Sequence, residues 1–314
     1  KEISEKLKIP LGKFSDIYEC HQFIGTVTEE AAEATGLCKG TKVIAGGHDT
    51  TSAAFATGVV EPGQAFYSMG TGGNLGVITR KPVYHEAMTV QCYVIPQMWI
   101  LDAVMNSTGQ SLKWFNQQFG QAENLFGGRL GIGVYEMFEL EAQKSPTGNS
   151  GVVYTPYLAG ESSPIWDENA RAAFVGITSR TTRGDMIRAI MEGVCFSSFH
   201  NMKIFEEMGS SINEFIVCGG PAKSRLWMQI LADITGKTVK TTETEDAAPL
   251  GDAMLAAVAC GLYSGYKEAA KANAKVKDVY QPNPDNRKIY DRLFEVYLNS
   301  YRKLRDDYHN IADF

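Results

Sequence analysis

No stretch of this sequence approaches 18 consecutive apolar residues, so it offers no segment apolar enough to cross a bilayer as a helix. Its first ten residues, KEISEKLKIP, lack the apolar centre of a signal peptide. The expectation is a cytoplasmic protein. Cysteine is sparse: Cys20, Cys38, Cys92, Cys195, Cys218 and Cys260 stand far apart with no CxxC pair. That spacing fits neither a disulfide framework nor a zinc site, and predicts reduced, mostly buried thiols. The five histidines are equally dispersed, so no metal-ligand cluster can be read. Basic residues form no run, and the net charge is -6. Both facts argue against nucleic acid or an anionic membrane as the partner, because each would select a clustered basic face. What is present is ordinary globular material, 44% hydrophobic and 21% charged over 314 residues. That is enough for a large core, and the length suggests about two domains.

Strand and helix patterns alternate, which predicts an α/β architecture built around a sheet. TEEAAEATG, from Thr28, reads as a helix delimited by a threonine N-cap and a terminal glycine. KVIAGG, from Lys42, reads as a buried strand, and HDTTSAAFATG as a helix of small residues packed closely against a neighbour. QAFYSMGTGGNLGVIT, from Gln64, reads as a hairpin around a glycine-rich turn. Strands follow within Thr89–Val104 and a helix from Gly109. A long helix runs from Gly184, a strand at EFIVCGG, a helix from Ala222, an alanine-rich helix from Asp246 and an amphipathic helix from Arg287. QPNPDN, from Gln281, reads as the linker before that last helix.

Four segments carry candidate chemistry. Asp49 stands where a strand turns into a helix of small residues, a place where a carboxylate could take a hydroxyl proton; the structural alternative is a helix N-cap. Asp49-Thr50-Thr51 also has the look of an aspartic-protease loop, but that chemistry needs a second copy, and none is present. SMGTGGN, from Ser68, could bring backbone N–H groups and the Thr71 hydroxyl onto a phosphate, or could simply be a turn. It is not a Walker loop, since no GK[ST] follows. CGGPAKS, from Cys218, joins a strand end, bare glycine backbone and a helix start, which suits a nucleotide as well as a close-packed turn. Lys223 alone reads as a solvated side chain. The long loop TPYLAGESSPIWDENARAAFVG, with Glu161, Trp166, Asp167 and Arg171, reads as structural.

Taken together, these segments resemble one family, the FGGY carbohydrate kinases. GGHDTTSAA resembles the GGxD segment of that family, SMGTGGN its second phosphate loop, AFVGITSRTTRGDMIRAIMEG its carboxy-terminal signature, and GGPAKSRLWMQILADITGKTV its adenosine segment. The resemblance implies an actin/hexokinase-like fold with ribonuclease H-like lobes, the second lobe complete and the first partial. Residues 1–58 would belong to the sugar-binding lobe and 59–283 to the nucleotide-binding lobe. Residues 284–314 would form a closing helix packed back toward the first lobe. It further implies transfer of the γ-phosphate of ATP, with Mg²⁺, to a sugar hydroxyl, a ketopentose of xylulose type first, and another ketose, an alditol or gluconate behind it. Asp49 would be the general base, with His48 and Thr50 beside it facing the sugar. Gly70, Thr71 and Gly72 would hold phosphates, while Gly109, Gly219, Gly220, Ala222 and Lys223 would border the nucleotide.

The departures from the family pattern are specific. Nothing before Asp49 has the strand–Asp–Gly–Thr pattern of the first phosphate loop, so a segment on the order of 150–200 residues is expected to be wanting at the front, and with it the Mg²⁺-side carboxylate. Pro221 replaces the third glycine of the adenosine segment, Gly72-Gly73 replaces the commoner Thr/Ser-Gly, and His48 stands where xylulose kinases commonly have Gly. The sequence leaves a homodimer open. The rival expectation is a nucleotide-binding lobe with no turnover of its own.

Overall fold

A computed structural model describes residues 2–244 and 246–314. The amino-terminal part contains α1 (Glu2–Lys6), β1 (Phe23–Thr26), α2 (Glu29–Thr35), β2 (Lys42–Ile44) and α3 (Asp49–Ala56). Then come β3 (Ala65–Met69), β4 (Gly73–Thr79), β5 (Thr89–Cys92), β6 (Trp99–Met105), α4 (Gly109–Phe119), α5 (Gln121–Leu130) and α6 (Val134–Ala142). The chain continues through β7 (Val153–Thr155), β8 (Ala173–Val175), α7 (Arg183–Glu207), β9 (Glu214–Cys218) and α8 (Arg225–Thr235). It closes with β10 (Thr238–Thr242), α9 (Ala247–Ala259), α10 (Tyr266–Asn273), β11 (Val276–Tyr280) and α11 (Pro284–Asn310).

Seven strands form one mixed sheet in the order β11-β10-β9-β3-β4-β6-β5. β9 runs parallel to both β3 and β10, while β3, β4, β6 and β5 form an antiparallel meander. The sheet has helices on both faces, which is why β3 reads as a continuous apolar run. Successive residues of β3 enter different cores: Tyr67 and Met69 join α4, α7 and α8 on one side, and Phe66 joins α3, α9 and α10 on the other. Full burial of a phenylalanine such as Phe55 or Phe66 contributes roughly 1.5–3 kcal/mol.

The small residues of α3 have a structural cause. A Cβ added to Gly251 of α9 would lie 2.0 Å from the Ser52 carbonyl oxygen, so the two helices touch backbone to backbone. α2 begins and ends as the sequence predicts, with Thr28 accepting from the Ala31 N–H and Gly36 left-handed at its end.

Other expectations change. KVIAGG forms a strand, β2, but an exposed one, because it pairs only with β1 in a separate two-stranded sheet. Only Cys195 and Cys218 are buried thiols; Cys38, Cys92 and Cys260 are exposed. The segment after Gly219 is a 3-10 turn, and α8 starts at Arg225 because Ser224 caps it, accepting from the Trp227 N–H. QPNPDN supplies the cap and first turn of α11 rather than a linker, since Pro284 fits N1 and Asn283 accepts from the Asp285 N–H. α11 packs beside the long helix α7 and against α8 and β7, with Phe294 4.7 Å from Phe199 and Tyr297 5.8 Å from Phe196 between ring centroids. Its aromatic stripe is what the core of α7 needs. Among the described residues, no helix is long and apolar enough to cross a membrane.

Candidate active site

β3, β6 and β9 run in one direction, so their carboxyl ends reach the same edge of the sheet. Each end carries one of the motifs. Such an edge is where open α/β sheets bind ligands. β3 leads into Gly70-Thr71-Gly72, β6 into α4, and β9 into Gly219-Gly220. The three turns are locked together by backbone contacts. Gly109 and Gln110, the first N–H groups of α4, donate to the carbonyls of Gly70 (2.9 Å) and Thr71 (3.0 Å). A Cβ on Gly109 would sit 2.5 Å from Gly70 O, and one on Gly219, where φ is +100°, would sit 2.1 Å from Met69 O. The Gly70 N–H donates to Gly72 O, whereas the N–H groups of Thr71 and Gly72 find no acceptor among the described residues. They are the donors available to an anion.

These turns form one end of a cleft of about 710 Å³, and Gly70, Thr71, Gly109, Gly220 and Lys223 all line it. A Cβ on Gly220 would meet nothing within 4 Å, so that glycine opens onto free space. Gly219 and Ala222 border a smaller hollow of about 210 Å³ next to the cleft, which also shares Gly220 and Lys223. Gly72 lies just behind the lining, against Met105 O. The opposite wall comes from α6 and the residue after it, through Tyr135, Glu139 and Gln143. No motif announced that wall. Glu139 fixes it to the other side by accepting from the Leu226 N–H at 2.8 Å, and Trp227 anchors α8 by donating to Met191 O at 3.1 Å.

Asp49 is not an N-cap. His48 occupies that position without a side-chain cap bond, and Asp49 is the first residue of α3, its side chain 79% exposed. Oδ1 accepts from the Thr50 N–H at 2.6 Å and faces the Thr50 hydroxyl at 3.2 Å and His48 Nδ1 at 3.3 Å. Among the described residues, Oδ2 has no hydrogen-bond partner. Thr50 itself is buried, and its hydroxyl accepts from Asn74 Nδ2 at 2.8 Å. The side chain expected to face a sugar therefore joins Asp49 to the strand that follows the glycine loop. His48, 62% exposed, remains open.

The long loop at 155–176 supports the site from behind. Glu161, 3% exposed, accepts from the N–H groups of Asn106 (2.7 Å) and Ser162 (2.9 Å), which holds the end of β6 beside the glycine loop. Asp167 accepts from Tyr301 at 2.8 Å and lies 3.1 Å from His309 Nε2, tying the loop to α11. Arg171 donates to the carbonyls of Glu168 and Ala170.

Burial pushes the Glu161 carboxyl from its ordinary 4.5 up to about 8, against the pull of its two N–H donors. Burial alone raises Asp102 from 3.8 to about 7. Over those windows the folded state keeps protons that the unfolded chain has released, so stability falls as pH rises. His200, lowered by burial from 6.5 to about 4, works in the opposite sense below pH 6.5. The melting temperature is therefore expected to fall between pH 6.5 and 8. Thermal melts of Glu161→Gln should show a flatter slope in that window; a slope equal to the parent's would remove Glu161 as its cause.

The sheet, with its glycine-loop cleft at one edge, has the actin/hexokinase-like, ribonuclease H-like fold. Residues 65–260 match the family described as the FGGY family of carbohydrate kinases, C-terminal domain, and the chain belongs to that family. It is 32% identical over 296 residues to a xylulose kinase of Staphylococcus epidermidis, covering 92% of this chain and 58% of that one. It is 28% identical over 289 residues to a gluconokinase of Bacillus subtilis, covering 91% of this chain and 56% of that one. The crystal structure of xylulose kinase from Rhodospirillum rubrum superposes with a TM-score of 0.86 at 25% identity, over 98% of this chain and 61% of that one. The chain thus spans less than two thirds of the length of these relatives.

Proposed function

We propose that the protein carrying this chain is an ATP-dependent sugar kinase, with a ketopentose of the xylulose type as acceptor. The observation that carries the reading is one connection. Asp49 stands exposed at the start of α3 and is linked through Thr50 and Asn74 to the strand that begins at the glycine loop. That loop lines the nucleotide-sized cleft. Asp49 Oδ2 would take the proton of the sugar hydroxyl. The hydroxyl oxygen would bond to the γ-phosphorus, the bridging P–O bond would break, and ADP would leave with its electron pair. Thr71 and Gly72 would donate N–H bonds to the phosphates, and Gly109, Gly220 and Lys223 would border the nucleotide. Placement of the reactants supplies much of such catalysis.

Mg²⁺ is expected with the ATP. Among the described residues no three His, Cys, Asp or Glu side chains converge to hold an ion. No step above runs through a metal ion. The division near residue 58 belongs to the same reading, with the exposed turn at His48 and Asp49 on the sugar side. The gluconokinase relative supports aldonates as the alternative acceptors. ADP formation by the parent protein against ketopentoses, alditols and aldonates tests the reading. One sugar is expected to lift the rate clearly above the background ATPase; ADP binding with no turnover on any sugar would favour a non-catalytic nucleotide-binding lobe.

A further inference from the structure

The Asp49 turn is held from two directions by side chains that touch neither nucleotide nor sugar in the reading above. From below, Asp252 of α9 reaches across 205 positions of sequence: its Oδ1 accepts from the Gly47 N–H and from Ser52 Oγ, both at 2.9 Å. One carboxylate oxygen thereby joins the backbone just before Asp49 to the first turn just after it. The approach demands glycine at Gly47, where a Cβ would lie 2.3 Å from Ser52 Oγ and 2.7 Å from Val94 Cγ1. From the side, Asn74, the second residue of β4, donates to Thr50 Oγ1 at 2.8 Å, and that hydroxyl lies 3.2 Å from Asp49 Oδ1. The Thr50 oxygen can accept from Asn74 and donate to Asp49 at once, forming a short relay. Asp49 is thus mostly in solvent while the backbone and hydroxyl beside it are fixed.

We propose that Asp252 and Asn74 are positioning residues for Asp49, setting the base at a fixed height and orientation relative to the phosphate loop. This rests on the sugar-kinase reading above. An exposed aspartate without such posts would sample several rotamers, and a reacting group about 1 Å out of place can cost on the order of 100-fold in rate. Asp252 fixes where the turn sits, and Asn74 fixes it to the strand that leaves the glycine loop. The two contributions therefore come from different elements and can be separated.

The variants are Asp252→Ala, Asp252→Asn and Asn74→Ala in the full protein, assayed well below the melting temperature. Asparagine keeps an oxygen at the Oδ1 position, so Asp252→Asn should restore what Asp252→Ala loses. The expected result is a fall in kcat of about 10- to 100-fold for Asp252→Ala and Asn74→Ala, with the KM for ATP and the affinity for ADP unchanged, and recovery in Asp252→Asn. A structural role alone would lower the melting temperature and leave kcat per folded molecule intact, and that outcome would overturn the inference. Equal kcat in all three variants, while Asp49→Asn loses turnover, would overturn the inference and leave the kinase reading standing. Full activity in Asp49→Asn would instead overturn the kinase reading. Amide exchange gives a readout independent of turnover: Asp252→Ala should speed exchange at Gly47 and across residues 45–52, and Asp252→Asn should not. Unchanged exchange in Asp252→Ala would show that the carboxylate does not hold the turn.

Discussion

Asp49→Asn is expected to lower sugar-dependent ADP formation by about 100- to 10,000-fold, the usual range for removing a positioned general base. The substitution keeps the shape of the side chain. Asparagine can still present an oxygen to the Thr50 N–H, the 2.6 Å bond that anchors Oδ1. What it loses is the second carboxylate oxygen as a proton acceptor. Because the side chain is 79% exposed and lies outside both cores, the fold should be untouched and ADP binding in the cleft should stay at the parent level. Steady-state kinetics with ADP titration by calorimetry separates these effects. A variant that binds ADP normally and still phosphorylates sugar at the parent rate would remove Asp49 from the reaction.

Gly219→Ala should have the next largest effect, through structure. With φ at +100°, an L side chain is strained there, at a cost of about 1–3 kcal/mol. The new methyl would also lie 2.1 Å from Met69 O and 2.8 Å from Met69 C, which is backbone and cannot swing away. Forced overpacking of this kind adds roughly 1–3 kcal/mol. Met69 is the last residue of β3, so whatever relieves the clash displaces the glycine loop attached to it. Denaturant melts should show a loss of about 2–6 kcal/mol, and ADP affinity should drop at least about tenfold, the equivalent of 1.4 kcal/mol. Gly220→Ala is the control. Its Cβ meets only open space, so stability should hold within about 0.5 kcal/mol, while a ligand seated against that glycine would be pushed away. Equal behaviour of the two variants would contradict the packing assigned to this turn.

Much of the fold was legible where chemistry is local. The β3–β4 hairpin shows in its glycines and flanking apolar arms, α7 in seven turns of apolar spacing, and α2 in its two caps. The closeness of α3 to a partner was readable from its alanines and serine, although the partner, Gly251, was not. β2 was read as a buried strand and is an exposed one, since an apolar run does not say whether a sheet will cover it. The start of α8 was misplaced because Ser224 outweighs the alanine and lysine before it as a cap.

The site divides in the same way. Glycines 70, 109 and 220 were named from motif and resemblance and line one cleft, whereas Asp49 is outside that lining and connects to the glycine loop's strand through Thr50 and Asn74. The wall from α6 escaped notice because Tyr135 and Glu139 belong to an ordinary amphipathic helix and Gln143 is the residue after it. Asn74 and Asp252 escaped for a different reason. Their partners lie 24 and 200 or more positions away, and no local pattern encodes a hydrogen bond across that distance. Thr50 was named with Asp49 from resemblance, and the contact of its hydroxyl with Asn74, 24 positions away, has no local signal in the sequence.

The most direct test of the account is the rate of sugar-dependent ADP formation at fixed Mg-ATP, measured in parallel for the parent protein and Asp49→Asn across ketopentoses, alditols and aldonates. The account predicts that one class of sugar raises the parent rate well above the background ATPase and that Asp49→Asn abolishes the increment. An increment of equal size in both proteins would contradict it.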